Sequence, residues 1–252
     1  MITGIIKVPY FMGDFMAGFE VPEPFVELAP ELPDGSAQDR MAVLYRELAA
    51  AVLVRDRPVV YAGDCVSTIG VLAGLQQAGI DATLVFFDAH GDFNTPETTP
   101  SGFLGGMPVA MLTGRGEQTI VAGAGLRVLP DERVIHVGAR DLDPGEDEAL
   151  ASSGITVLSV DELAHTDLPS GPLYVHVDVD VVDPRELPAV NYPAPGGPSL
   201  EATRRALIHL AATGRVVAFS ISSWNPALPE ADRAASATLR LAGPFLADIA
   251  SD

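Results

Sequence analysis

The chain has 252 residues, 48% hydrophobic and 19% charged, enough to bury the core of one globular α/β domain and too apolar for a disordered segment. A net charge of −19 excludes nucleic acid and anionic membrane surfaces as partners, because phosphate recognition needs clustered Lys and Arg, and it is compatible with a small cationic substrate. The single cysteine, Cys65, rules out an internal disulfide framework and fits a reducing cytoplasm.

The chain opens on a short apolar run, residues 3–9, without a basic flank or small-residue cleavage site, so it reads as a strand and not a signal peptide. β-rich runs follow at 58–62, 82–87, 134–138, 156–159, 173–177 and 216–221, apolar on both faces as buried parallel strands are. Helical segments lie between them, clearest at 37–54, 66–78, 200–212 and 230–250. This alternation predicts an α/β fold in a single domain spanning 1–252, one parallel sheet with helices on both faces and right-handed crossovers. No apolar stretch reaches the ~20 residues of a membrane helix, so a soluble, cytoplasmic protein is expected. The loops 12–36, 95–107 and 184–198 are long and carry several Pro or Gly, and loops of that length in a compact domain are usually functional.

Acidic and imidazole side chains follow the predicted strands directly, at Gly63-Asp64-Cys65, at Asp88 to Asn94 and at Asp178 to Asp183. Ligands of open parallel sheets bind beyond the carboxyl ends of strands, so these segments are expected to gather Cys65, Asp88, His90, Asp92, Asp178 and Asp180 at one crevice. Strand alternation puts Asp178 and Asp180 on one face, with His176 on the same side. Carboxylates at that density repel in a low-dielectric pocket unless cations neutralise them, which predicts two metal ions rather than one. Singly, each motif has a commoner structural role: Asp-X-Asp caps a helix, His beside a carboxylate is an ion pair, and a free Cys is a small buried hydrophobe. Three of them, each after a strand, favour the metal.

The stretches Asp88-Ala89-His90-Gly91-Asp92-Phe93-Asn94, Gly138-Ala139-Arg140-Asp141 and Asp178-Val179-Asp180-Val181-Val182-Asp183-Pro184, in this order, resemble the arginase/agmatinase ureohydrolases. The likeness runs from Ile2 to Ser223-Trp224-Asn225-Pro226. It implies an eight-stranded parallel sheet, a site for two Mn(II) ions, and hydrolysis of a guanidino compound. One ion is implied on Cys65, Asp88, Asp92 and Asp178, the other on Asp88, His90, Asp178 and Asp180, with Asp88 and Asp178 bridging. Asn94, Ser101, Asp143 and Glu146 match residues that hold the amino-acid end of the substrate in arginases, implying a guanidino amino acid rather than a simple amine such as agmatine. Asp92 is expected to accept a hydrogen bond from the activated water and pass its proton to the leaving amine. His176 is expected to orient a ligand carboxylate or to carry protons itself. Arginases often trimerise through a C-terminal extension, and a chain ending at Asp252 is expected to be a monomer.

Three departures qualify the match. Ala62-Gly63-Asp64-Cys65 stands where arginases have Gly-Gly-Asp-His, so a thiolate replaces an imidazole; soft sulfur favours zinc or iron, while the oxygen-rich remainder suits manganese. Gly105, within Ser101-Gly102-Phe103-Leu104-Gly105-Gly106-Met107-Pro108, aligns with a proton-shuttle histidine, and losing a positioned acid typically costs ~10²- to 10⁴-fold in rate. Ser223 aligns with the glutamate that pairs with the substrate guanidinium. An N-hydroxylated guanidine is less basic and can enter uncharged, so both losses point to Nω-hydroxy-L-arginine, cleaved to hydroxyurea and ornithine, as in a branch of the family that serves antibiotic biosynthesis. The alternatives are another guanidino or amidino compound (arginine, guanidinobutyrate, a formimino compound) and a metal-binding relative without turnover.

Overall fold

The runs Val59–Ala62, Thr83–Phe87 and Leu173–Asp178 are buried along their whole length, as strands covered on both faces must be. The computed structural model describes residues 4–22 and 26–246. Its strands are β1 (Ile5–Val8), β2 (Tyr10–Phe11), β3 (Asp14–Phe15), β4 (Val26–Glu27), β5 (Val59–Ala62), β6 (Thr83–Phe87), β7 (Val134–Val137), β8 (Thr156–Leu158), β9 (Leu173–Asp178) and β10 (Val216–Ser222). Its helices are α1 (Ala37–Leu53), α2 (Thr68–Gln77), α3 (Pro108–Leu112), α4 (Thr119–Ala124), α5 (Glu146–Ser152), α6 (Val160–Leu163), α7 (Leu200–Ala212) and α8 (Ala231–Leu246).

The expected eight-stranded sheet is present, in the order β4-β1-β5-β10-β9-β6-β7-β8 with every neighbouring pair parallel, in a single α/β domain. β2 and β3 form a separate antiparallel hairpin. β10 comes last in the chain yet lies between β5 and β9, so the carboxyl ends of β5, β10, β9 and β6 stand side by side. Those ends carry the acidic motifs.

Alternation along each strand divides the core. Val60, Ala62, Leu84 and Phe86 face one apolar layer with α1, α2 and α4, whereas Val59, Tyr61, Val85 and Phe87 face the other with α6, α7 and α8. The strand expected at 3–9 and the helix expected at 230–250 each run beyond the described residues, at residue 3 and at 247–250; their described parts are β1 and α8. The hairpin, β4 and α3 to α6 had no counterpart in the sequence reading, and each is short. No helix among the described residues is long and apolar enough to cross a membrane.

α1 and α2 pack through glycine. A Cβ at Gly74 would lie 2.6 Å from the Ala49 carbonyl oxygen and 2.6 Å from Val52 Cβ. Overpacking of this kind costs about 1–3 kcal/mol, so Gly74→Ala is expected to lower the urea midpoint. Gly243→Ala on α8, where nothing lies within 4 Å, is expected to leave the midpoint unchanged or raise it.

Candidate metal centre

The ends of adjacent strands deliver the predicted ligands. Cys65 opens a 3₁₀ turn, Cys65–Ser67, just after β5; Asp88 follows β6; Asp178 ends β9. Asp180 arrives differently from expectation. β9 stops at Asp178, and Asp180 lies in the 3₁₀ turn Val179–Val181, capped by Asp178 Oδ1 accepting the Asp180 N–H at 3.1 Å. A tight turn, not strand parity, sets the two carboxylates together.

Two donor clusters result. Ligand atoms of Cys65, Asp88 and Asp178 lie within 4.8 Å of one another, and so do those of Asp88, His90 and Asp180. Asp88 belongs to both. Asp92 sits beside the first cluster with its Oδ2 accepting the Cys65 thiol at 3.2 Å. Asp178 is grouped with the first cluster alone, its other oxygen accepting a short hydrogen bond from the Ser223 hydroxyl.

The loop after β6 is held from several sides. Ala89 N–H donates to Asp180 Oδ1 at 3.2 Å and His90 N–H to Asp88 Oδ1 at 2.7 Å. The Ala89 carbonyl accepts from Arg140 and Asp141 N–H at 2.8 and 2.9 Å. The Arg140 guanidinium donates to the carbonyls of Asp180, Val181 and Ala194, fixing the acidic turn from behind. Asp92 adopts φ +51, a left-handed conformation that costs a non-glycine residue about 1–3 kcal/mol; its carbonyl accepts from Val109 and Ala110 N–H at the start of α3, which holds it there.

The charge balance is the distinctive property. Burial lifts Asp88 and Asp180 to about 6, assisted by Asp178 and Asp88 respectively. Burial also raises Asp92, Asp178 and the Cys65 thiol well above their ordinary values, each with a neighbouring carboxylate adding to the shift. His90 is the one cationic side chain in the cluster. Burial would lower it, but Asp180 and Asp88, whose oxygens lie 3.1 and 3.3 Å from Nδ1, raise it to about 12. Among the described residues, no Lys or Arg side chain lines the cleft. A set of carboxylate, imidazole and sulfur donors whose one resident counter-charge is the His90 imidazolium fits divalent cations.

The cleft above the clusters holds about 350 Å³. Asn94, Ser101, Asp143 and Glu146 all border it. Asn94 Nδ2 donates to Asp143 Oδ2 at 2.9 Å, and Ser101 Oγ accepts the Phe103 N–H at 3.1 Å. Glu146 is buried, and its oxygens accept Phe93 and Asp143 N–H at 2.8 and 3.0 Å, so it braces the backbone beside Asn94 and at Asp143.

The expectation that His176 carries protons requires a correction. It does not border the cleft but lies fully buried in the sheet, stacked on Phe86, with burial lowering its pKa to about 3. A side chain so enclosed cannot carry protons for the substrate. Its Nδ1 lies 2.7 Å from Ser220 Oγ and its Nε2 3.5 Å from Ser222 Oγ, which is 3.0 Å from Ser223 Oγ and so leads to Asp178.

The Ser223 link to Asp178 was missed in the sequence, as were a role for Asp64, named only within Gly63-Asp64-Cys65, and the place of the aromatic residues Phe11, Phe103 and Tyr192 at the cleft. Asp64 anchors the hairpin turn by accepting Met12 N–H at 2.9 Å, while Tyr45 donates to its other oxygen. Its position between Gly63 and Cys65 was the available signal for it.

The arginase-family sequence model matches residues 25–248, nearly the full length. The chain belongs to the arginase family. It is therefore a hydrolase of amidino carbon–nitrogen bonds, and its two donor clusters are candidate ligands for the binuclear metal site that the family normally has. It is 33% identical over 209 residues to the Nω-hydroxy-L-arginine amidinohydrolase of Streptomyces lavendulae, covering 80% of this chain and 74% of that protein. It is 31% identical over 221 residues to the arginase of Bacillus caldovelox, with the same coverage of 80% and 74%. The Bacillus cereus arginase structure superposes with a TM-score of 0.81 at 26% identity, covering 97% of this chain and 98% of that one. That of Bacillus subtilis gives 0.83 at 24%, covering 98% and 99%, a likeness of fold.

Metal uptake by this arginase-family cluster must expel protons. His90 and Cys65 hold theirs at neutral pH, so affinity for Mn²⁺ is expected to fall as pH falls, more steeply below about 6 where Asp88 and Asp180 also protonate. Calorimetry in buffers of different ionisation enthalpy is expected to show net proton release at pH 7.5; zero release would contradict the electrostatics described.

Proposed function

We propose that this arginase-family enzyme hydrolyses Nω-hydroxy-L-arginine to hydroxyurea and L-ornithine. The observation that carries the reading is the guanidino end of the cleft: the residue aligned with the shuttle histidine is Gly105, and the one aligned with the guanidinium-pairing glutamate, Ser223, has its hydroxyl bonded to Asp178. A substrate of low basicity, entering uncharged, needs no carboxylate partner there. The name of the 33% identical relative from Streptomyces lavendulae supports the same substrate, while the 31% identical arginase makes L-arginine the alternative to test.

Cys65, Asp88, Asp92 and Asp178 would hold one metal ion, and Asp88, His90, Asp178 and Asp180 the other. When bound, a pair of Mn(II) ions lowers the pKa of water and polarises the guanidino group. Asp92, a buried carboxylate whose affinity for a proton is raised by burial and by Asp88, takes the proton of the attacking water and returns it to the leaving amine of ornithine. Atoms balance: one water is consumed, its oxygen becomes the hydroxyurea carbonyl, and the side-chain nitrogen leaves as the ornithine amine. Asn94, Ser101 and Asp143 hold the α-amino and α-carboxylate groups, with Glu146 bracing the backbone beside Asn94 and at Asp143. His176 acts as a positioning residue, fixing Asp178 through Ser222 and Ser223. A reducing cytoplasm would keep the Cys65 thiol available as a ligand.

Mn²⁺-loaded protein is expected to release ornithine from Nω-hydroxy-L-arginine with kcat/KM at least about 10²-fold above that for L-arginine, the range over which a positioned acid acts. Comparable rates on both would identify an arginase instead; no release from either, with metal bound, would identify a non-catalytic relative.

A further inference from the structure

A side chain at position 105 would stand beside the first donor cluster, since the Gly105 carbonyl oxygen lies 3.6 Å from the Cys65 sulfur. The Gly105 backbone does not forbid one: it lacks the positive φ seen at Gly102, φ +71. The obstacle is Phe103. A Cβ on residue 105 would lie 2.3 Å from Phe103 Cε1 and 2.6 Å from Cζ, far inside the ~3.5 Å of ordinary carbon contact.

The ring is held on both sides. It stacks on Phe11 at 6.2 Å between centroids and packs against Tyr192 at 4.9 Å, and Tyr192 in turn meets the His90 ring edge-on at 6.4 Å. Phe11 belongs to the β2–β3 hairpin and Tyr192 to the loop before α7, so the aromatic row ties three loops together from residue 105 to His90. All three rings border the cleft.

We propose that Phe103 is a specificity-determining residue: its ring occupies the volume of a residue-105 side chain and forms the centre of an apolar wall that selects guanidino groups able to enter uncharged. The three rings offer a guanidinium no carboxylate partner on that face of an otherwise acidic cleft, and a cation–π contact returns less than desolvating the ion costs, so the face favours a neutral hydroxyguanidine. The absence of an acid at 105 is thus maintained by its neighbour and is not a free site into which one can be inserted. This inference deepens the proposed function and rests on it for the choice of substrates, but its steric core does not.

A thermal-unfolding cycle tests that core without substrate or metal turnover. Gly105→Ala is expected to lower Tm by about 2–4 °C or more with Phe103 present, and by much less in a Phe103→Ala background. Equal shifts in both backgrounds would overturn the proposal. The functional arm uses Mn²⁺-loaded Gly105→His, Phe103→Ala and the double variant, with L-arginine and Nω-hydroxy-L-arginine as substrates. Gly105→His alone is expected to lose at least about 10-fold on the hydroxyguanidine without gaining on arginine, whereas the double variant gains at least about 10-fold on arginine over the single one. Phe103→Ala alone narrows the preference. If Gly105→His gains on arginine as much as the double variant, or Phe103→Ala leaves the preference unchanged, Phe103 does not set specificity. A wild type without preference for the hydroxyguanidine refutes the proposed substrate instead, and the unfolding cycle still decides the steric claim.

Discussion

Mutual repulsion among buried anionic groups is the constraint around which this molecule is organised. Asp88, Asp92, Asp178 and Asp180 are all buried, and a thiol lies among them. Removed from water, they must keep protons, pair with His90 or take up cations. The fold meets this demand by covering the cluster with hydrogen bonds from Ala89, His90 and Asp180 N–H, from the Ser223 hydroxyl, and by locking the acidic turn with Arg140. These contacts hold the donors in place whichever partner neutralises them.

Cys65, Gly105 and Ser223, the positions at which the motifs were read as departing from the arginase pattern, all border one half of the site. The Gly105 carbonyl approaches the Cys65 sulfur, and Ser223 bonds Asp178, so the changes surround the cluster of Cys65, Asp88 and Asp178. The other cluster, Asp88, His90 and Asp180, keeps the donors that the family motif implies. Under the proposed function this is the side of the cleft where the guanidino group would meet the metal centre, while Asn94, Ser101 and Asp143, which also border the cleft, would hold the amino-acid end.

The sheet was largely legible in the sequence because its central strands are apolar on both faces, a pattern local to each segment. β4 was not, being two residues at the edge of the sheet within a proline-bearing loop, and α3 to α6 are too short to show a helical period. At the site, acidic residues directly after strands pointed to the side chains that the structure gathers in two donor clusters, since strand ends converge in any open parallel sheet. Parity gave the right neighbours for Asp178 and the wrong cause, because a turn and not a strand delivers Asp180. It also placed His176 on the side of Asp178 without revealing that the ring lies within the sheet against Ser220. The Ser223 bond depends on β10 pairing with β9 in a register that sets Ser222 opposite Asp178, a long-range match that no local motif announces. The collision between Phe103 and residue 105 is likewise a property of packing, since it requires Phe11 and Tyr192 to fix the ring.

Asp88 belongs to both donor clusters, so it is expected, with Asp178 as the second bridge of the proposed ligand sets, to join two cation sites into a single centre. Metal content after Mn²⁺ loading and removal of free ions, measured on wild type and Asp88→Asn, tests it most directly. Two ions per wild-type chain and fewer than one per Asp88→Asn chain are expected, both sites failing together. A wild type that retains one ion or none, or a variant that loses only one of two, would contradict it.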